Sequence, residues 1–339
     1  MKKNILLLLV LPAMLLLGAC RANDPNPDPA EDPKAQAQNA LNGRVYQLDL
    51  SSESEKAQEM VTFVLSFMGN GLGVMEYRLT ADNGVISYQY PFSFVLDENG
   101  TDLTFTQLRK DTFVGNRLIK AVRKNNDREL DITFFVADGG VEKAYPANLI
   151  TPNSWSGTKW KSRSDGLSSD LWLLFPTELS AVVITNSPTA DALYSHNVCG
   201  YISNSSELVL TSFNTILGKA KVTDSPVKLS LLVGDGLKGD YEFDRLEPNG
   251  LVNTFWLDPA LLSNGSFGLT GFYFVDEQTV LQFGTPQDDK DEPLLVAPKY
   301  PYTRNGNKVT IARPDGEIVM ELSKDEQTAT YNGNKLVRR

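Results

Sequence analysis

Residues 299–311 read KYPYTRNGNKVTI: a tyrosine-rich strand, a polar turn at Asn305-Gly306, then an alternating strand through Val309, Thr310 and Ile311. Asn-Gly tolerates the positive φ that tight hairpin turns demand. The layout occurs twice earlier, as YQYPFSFVLDENGTDLTF at 88–105 and YSHNVCGYISNSSELVL at 194–210. Tyr88, Tyr194 and Tyr300 open these stretches, 106 residues apart each time. A recurrence at fixed spacing is the mark of a repeated structural unit.

Two further landmarks recur in the same order. An apolar residue, a glycine two later and an aromatic three further on appear as Leu41-Gly43-Tyr46, Trp155-Gly157-Trp160 and Leu269-Gly271-Phe274, with the glycines 114 residues apart. A phenylalanine closes an apolar run at Phe67, Phe175 and Phe283, 108 residues apart. The glycine-to-phenylalanine interval shrinks from 24 to 18 to 12 residues. Loops absorb such length changes while strands persist. The sequence therefore predicts three repeats, 41–146, 155–247 and 260–339. PANLITPNS (146–154) and EPNGLVNTFWLDPALLSNGS (247–266) read as connections between them.

Stretches such as VISYQYPFSFVL, SAVVITN, KLSLLV and NKVTIA are rich in β-branched and aromatic residues, with Asn-Gly and Asp-Gly turns between them. That composition and spacing predict an all-β chain of three tandem small antiparallel barrels or sandwiches. No long amphipathic helix is expected. A short one is predicted at SSESEKAQEMV, where Ser52 and Glu55 fit a capping box. The pattern Gly-x-Trp, Phe, Tyr-x-Tyr, turn, apolar strand resembles that of the lipocalin-like barrels of exported bacterial lipoproteins. Tyr88-Gln89-Tyr90 and Tyr300-Pro301-Tyr302 match its Tyr-x-Tyr element; Tyr194 is followed instead by His196, and each aromatic stands one place later than in Gly-x-Trp.

The chain begins with Lys2 and Lys3, then an apolar run at 5–17 that is too short to span a bilayer. This layout predicts a secretory signal over 1–19. Leu17-Gly18-Ala19-Cys20 resembles a bacterial lipobox. The resemblance implies cleavage before Cys20, lipidation of that residue and an outer-membrane anchor. Several acyl chains hold a protein stably, at about 0.8 kcal/mol per buried CH₂. Residues 20–40 (CRANDPNPDPAEDPKAQAQNA) are poor in large apolar side chains and read as a flexible tether. Their early acidic residues are similar to export signals of Bacteroidetes surface lipoproteins.

Composition removes several functions. A net charge of −10 without Lys/Arg clusters argues against nucleic acid. With Cys20 lipidated, Cys199 is the one remaining thiol, so no internal disulfide is expected. It reads as a small buried apolar residue. A single histidine, His196, supports neither a zinc site nor a Ser-His-Asp triad, and reads as a rim or loop residue. Gly234-x-Gly236-x-x-Gly239 has the dinucleotide-binding spacing, but a strand is expected after it where that motif needs a helix. Asp288, Asp289, Asp291 and Glu292 lack EF-hand spacing and read as a solvated loop. No catalytic residue, metal or cofactor is expected. Trp160 is expected to plug a barrel core; Trp155 is the one candidate ligand-binding side chain.

These readings point to a non-enzymatic cell-envelope lipoprotein acting as a ligand-binding or scaffold module for a glycan, lipid or protein partner. Two alternatives stand beside it. One is a carboxylate-based glycan hydrolase, which needs a pair of acids about 5–10 Å apart. The other is a structural subunit of a surface assembly.

Overall fold

A computed structural model describes residues 33–48, 60–69, 71–81, 84–107, 117–136, 141–163, 170–186, 193–203, 207–212, 215–221, 227–232, 238–258, 270–283 and 296–339. The expected signal, Cys20, the Ser52–Glu55 capping box and the 285–293 acidic loop lie outside these residues.

The chain forms three eight-stranded, lipocalin-like antiparallel barrels in tandem. Barrel 1 comprises β1 (Val45–Leu48), β2 (Met60–Gly69), β3 (Leu72–Ala81), β4 (Gly84–Leu96), β5 (Asp102–Gln107), β6 (Arg117–Lys124), β7 (Glu129–Val136) and β8 (Val141–Ile150). Barrel 2 comprises β9 (Lys159–Ser162), β10 (Leu171–Leu174), β11 (Ser180–Asn186), β12 (Leu193–Ser203), β13 (Glu207–Ser212), β14 (Thr215–Lys221), β15 (Val227–Leu231) and β16 (Gly239–Leu246). Barrel 3 comprises β17 (Thr254–Leu257), β18 (Gly271–Phe274), β19 (Thr279–Phe283), β20 (Val296–Asn305), β21 (Lys308–Arg313), β22 (Gly316–Leu322), β23 (Thr328–Tyr331) and β24 (Asn334–Arg338). In each, strands pair in chain order and the last returns to the first: Val45↔Ile150, Phe243↔Ser162 and Trp256↔Arg338. The opening stretch is the end of β20, its turn and β21, with Tyr302 opposite Ile311.

Closure removes the exposed edges that make sheets aggregate. At eight strands the interior is just wide enough for side chains to fill it. Tyr46, Phe67, Phe92, Phe94 and Phe105 pack barrel 1, and Trp256, Phe272, Phe274, Val309 and Ile311 pack barrel 3. Leu171, Phe175, Tyr201, Leu229 and Phe243 do the same for barrel 2.

The repeat is real, but its register in the third copy differs from the expected one. In barrel 1 the Gly43 amide bonds Phe67 O (2.8 Å) and Arg44 N bonds Leu41 O. In barrel 2 the Gly157 amide bonds Phe175 O (2.7 Å) and Thr158 N bonds Trp155 O. In barrel 3 Asn253 N bonds Phe274 O (2.8 Å) and Thr254 N bonds Leu251 O. The matching segments are thus LNGRVY (41–46), WSGTKW (155–160) and LVNTFW (251–256). Gly43, Gly157 and Asn253 share a left-handed conformation, at φ +76°, +77° and +59°. Asparagine is among the few non-glycine residues that enter this region readily.

Gly271–Phe274, the end of the expected third landmark, is therefore the second strand of barrel 3. The stretch expected to connect repeats 2 and 3 contains β17, so the third unit begins before residue 260. The recurrent core contact confirms the register. Phe67–Phe94, Phe175–Tyr201 and Phe274–Tyr302 meet edge to face at 5.0, 4.9 and 4.8 Å. The tyrosine landmark needs the same correction, because the equivalent residues are Phe94, Tyr201 and Tyr302. In barrels 2 and 3 the phenol also donates to a turn carbonyl, Thr177 O and Asp276 O.

Gly271 has a separate reason for being glycine. A Cβ there would sit inside the contact distance of the Trp256 carbonyl oxygen and 3.1 Å from its carbonyl carbon. Because β17 backbone cannot rotate away, Gly271→Ala is expected to destabilise the protein by about 2 kcal/mol, read as a lower urea midpoint.

Two other expectations are corrected. The last residues of the predicted tether form helix α1 (Pro33–Leu41). Its sequence, PKAQAQNAL, has proline in the first turn followed by good helix formers. Ala37 and Leu41, one helical turn apart, are buried against the barrel 1 core. Residues 147–150, expected in a connection, belong to β8, and Ala147 is fully buried. Without them barrel 1 would not close.

The barrels are not beads on a string. β12 pairs with β20 (Tyr194↔Ala297), joining barrels 2 and 3 edge to edge. Outward-facing side chains from all three bury one another: Met68, Leu72 and Val74 from barrel 1, Trp172 and Leu174 from barrel 2, and Phe255, Tyr273 and Leu281 from barrel 3. The strands LWLL, TFWL and GFYF are consequently buried on both faces.

Candidate functional site

The sequence-derived candidate Trp155 lies inside barrel 2, 3% exposed, between Trp160 (5.0 Å) and Phe175 (5.2 Å). Its indole N–H has no hydrogen-bond partner. The ring therefore serves the core and offers no face to a ligand. Trp160 is half-buried against the same core, its indole donating to Thr158 Oγ1 at 2.9 Å. Trp256 repeats this contact with Thr254 Oγ1, also at 2.9 Å. His196 stands on β12 opposite Ile184. Gly239, last in the glycine-rich motif, begins strand β16 rather than a helix. Among the described residues, no group of three or more His, Cys, Asp or Glu is placed to hold a metal.

Cys199 is fully buried in barrel 2. Burial pushes its thiol up to about 12. The thiolate, the reactive form, is then scarce at pH 8. Native protein is expected to react with a thiol-specific reagent at least about a hundredfold more slowly than urea-unfolded protein, followed by absorbance.

Lys159 is an unusual buried cation, 5% exposed on β9. Burial, then the neighbouring Arg339, Arg338 and Arg245, lowers it to about 8, with Glu247 opposing. The unfolded lysine keeps its proton up to about its ordinary 10.5. Between these values the unfolded chain holds more protons, so this group adds stability as pH rises through about 8 to 10.5. Lys159→Met is expected to stabilise the protein by about 2 kcal/mol at pH 7, a gain that shrinks by pH 10 in urea titrations.

One concavity is built between barrels. A cavity of about 210 Å³ is lined by Gly43, Val45, Ser66 and Phe67 of barrel 1, Pro152, Ser156, Gly157 and Glu178 around barrel 2, and Arg339 beyond β24. The two left-handed turn glycines of barrels 1 and 2 thus meet at one site. Glu178, 4% exposed, accepts the Asn153 amide through Oε2 at 2.8 Å. Arg339 donates through Nε to Pro176 O (2.8 Å) and through Nη2 to Ser156 Oγ (3.3 Å). Burial lowers the Arg339 guanidinium, while Glu178 and Glu76 pull it up. Ser66 Oγ is buried without a partner.

Beside the cavity lies a second acid. Glu76 of β3 is fully buried where barrel 1 meets the β10–β11 turn of barrel 2. Its carboxylate accepts from Thr177 Oγ1 (2.5 Å), Leu179 N (3.2 Å) and Ser180 Oγ (3.3 Å).

A larger, shallower concavity lies on β13–β16, lined by Lys219, Lys221, Lys228, Asp240 and Glu242 among others. Its carboxylates are already engaged: Glu242 pairs with Lys228 (3.3 Å) and Arg163 (3.4 Å), and Asp240 accepts from Ser230. Exposed pairs of this kind contribute little to stability.

Sequence reading selected Gly43 and Gly157, but only as landmarks of the repeat. Nothing local marked Ser66, Glu178, Arg339 or Glu76, which converge only through barrel packing. Compared with known proteins, the chain matches no family profile, and no curated protein aligns with it closely enough to count as a relative.

Proposed function

We propose that this chain is a lipid-anchored protein of the bacterial outer membrane that works without catalysis, as a rigid scaffold binding an envelope partner. The observation that carries this reading is the three-barrel body: filled interiors, closed edges and one shared apolar junction. A carrier of lipophilic cargo needs an empty barrel, and these are packed with aromatic side chains. Recognition then falls to the outer surfaces and the clefts between barrels. The lipobox resemblance at Cys20 and the acidic stretch after it support tethering at a membrane.

Feeding the source cells an alkyne fatty acid tests the anchor. The chain is expected to take up the label and to fractionate with membranes, whereas Cys20→Ser loses both properties. In-cell photo-crosslinking from the barrel surfaces is expected to capture a discrete envelope component. An unlabelled, soluble wild-type chain would overturn the anchor; hydrolysis of envelope glycans by the purified protein would overturn the non-catalytic reading.

A further inference from the structure

We infer that the cavity between barrels 1 and 2 is a binding site for a small zwitterion of the α-amino acid class. The inference deepens the binding-module reading and rests on it.

The cavity holds a carboxylate and a guanidinium that are not bonded to each other. Oε1 of Glu178 and Nη1 of Arg339 have no hydrogen-bond partner among the described residues. A cation and an anion that share a cleft yet stay apart suit a guest bridging them. An ammonium fits Glu178, and a carboxylate fits the planar guanidinium fork. Ser66 adds a buried hydroxyl without a partner at the wall. Val45 and Pro152 supply an apolar side for the guest's carbon skeleton. The size is selective. About 210 Å³ corresponds to roughly seven waters at about 30 Å³ each, below the volume of ordinary drug-sized pockets. That accommodates a free amino acid.

The turn glycines of barrels 1 and 2 line the same cavity. Barrel 3 uses Asn253 in the left-handed turn where barrels 1 and 2 use Gly43 and Gly157. Conformation alone therefore does not demand glycine. A Cβ added at Gly43 or Gly157 meets nothing within 4 Å. Both positions line the cavity, so a side chain added at either stands at its rim without a packing clash.

This comparison also provides the test. Gly157→Asn and Gly43→Asn place at the cavity rim the side chain that barrel 3 already tolerates. Melting temperatures within about 3 °C of wild type are expected, since the left-handed turn is kept. The full-length protein in detergent is titrated calorimetrically with the free proteinogenic amino acids, and with the N-acetyl and amide forms of any that bind. At least one free amino acid is expected to bind saturably. Both asparagine variants weaken it tenfold or more. Glu178→Gln, whose amide oxygen still accepts the Asn153 N–H, also weakens it tenfold or more. Blocking either terminus of the ligand has the same effect. Absence of binding by any amino acid, undiminished binding in the folded asparagine variants, or equal binding of the blocked forms overturns the proposal. Those failures leave fatty-acid labelling and surface crosslinking intact, so they are distinguishable from failure of the scaffold reading.

Discussion

Glu76→Ala is expected to destabilise the protein by about 4 kcal/mol and to loosen barrel 1 from barrel 2. The reasoning starts from where the acid sits. Glu76 points outward from barrel 1, yet it is fully buried because the turn Thr177-Glu178-Leu179-Ser180 closes over it. Its carboxylate gathers two hydroxyls and a backbone amide, and Thr177 Oγ1 in turn accepts the Ser180 amide at 3.1 Å. Hydrogen bonds to a charged group contribute about 1.5–3 kcal/mol each, and a buried donor left without an acceptor costs about 1–3 kcal/mol. Removing the desolvated charge offsets part of that loss. Glu76→Gln keeps the shape and one acceptor oxygen, so about half the effect is expected. Urea unfolding followed by tryptophan fluorescence reads the stability. Small-angle scattering reads the separation, as a larger radius of gyration in the alanine variant under conditions where its circular dichroism stays β-type. An alanine variant within about 1 kcal/mol of wild type, with unchanged scattering, shows that the acid does not hold the barrels together.

The sequence was most legible where one residue type repeats one task. Hairpin turns recur in all three units, and the glycine and phenylalanine landmarks stand in register in the first two, because a barrel rebuilt needs the same positions filled alike; in the third, Asn253 and Phe274 take the places expected of Gly271 and Phe283. The reading failed where chemistry allowed a substitute. Asn253 does what Gly43 and Gly157 do, while Gly271, required by the close approach of Trp256, stood nearby as a decoy. The α1 helix was missed because only two small contacts, Ala37 and Leu41, seat it on barrel 1, and the surrounding polar residues read as tether. One overlooked signal was in plain view. LWLL, TFWL and GFYF do not alternate, and an unbroken apolar strand is one covered on both faces. That pattern predicts a junction between barrels. The cavity and the Glu76 clasp had no such signal. Ser66 and Glu76 belong to barrel 1, Glu178 to barrel 2 and Arg339 to the end of barrel 3, and only the mutual packing of finished barrels brings the three units' side chains together.

That packing makes the second large effect predictable. Leu281→Lys is expected to cost about 4 kcal/mol and to open the three-barrel junction while leaving each barrel wound. Leu281 is 1% exposed on β19, opposite Tyr273 on β18, and faces outward into the cluster shared by all three barrels. An ammonium there has no counter-ion among the apolar side chains of that cluster, and a buried uncompensated charge costs about 3–5 kcal/mol. The strand need not unravel to relieve it. The cheaper escape is to separate the outer faces and admit water, because Leu281 contributes nothing to the interior of barrel 3, which is filled by Trp256, Phe272, Phe274 and their neighbours. The variant should therefore keep its far-ultraviolet signal, expand in small-angle scattering and unfold in more than one step. Tyr273→Phe is the matched control. The Tyr273 hydroxyl is buried in the same junction without a partner, and burial pushes its ionisation up. Removing it deletes an unsatisfied polar atom and keeps the ring, so stability should hold or rise by about 1 kcal/mol. If Leu281→Lys leaves both stability and dimensions unchanged, the barrels move independently, and a rigid scaffold is the wrong description of this protein.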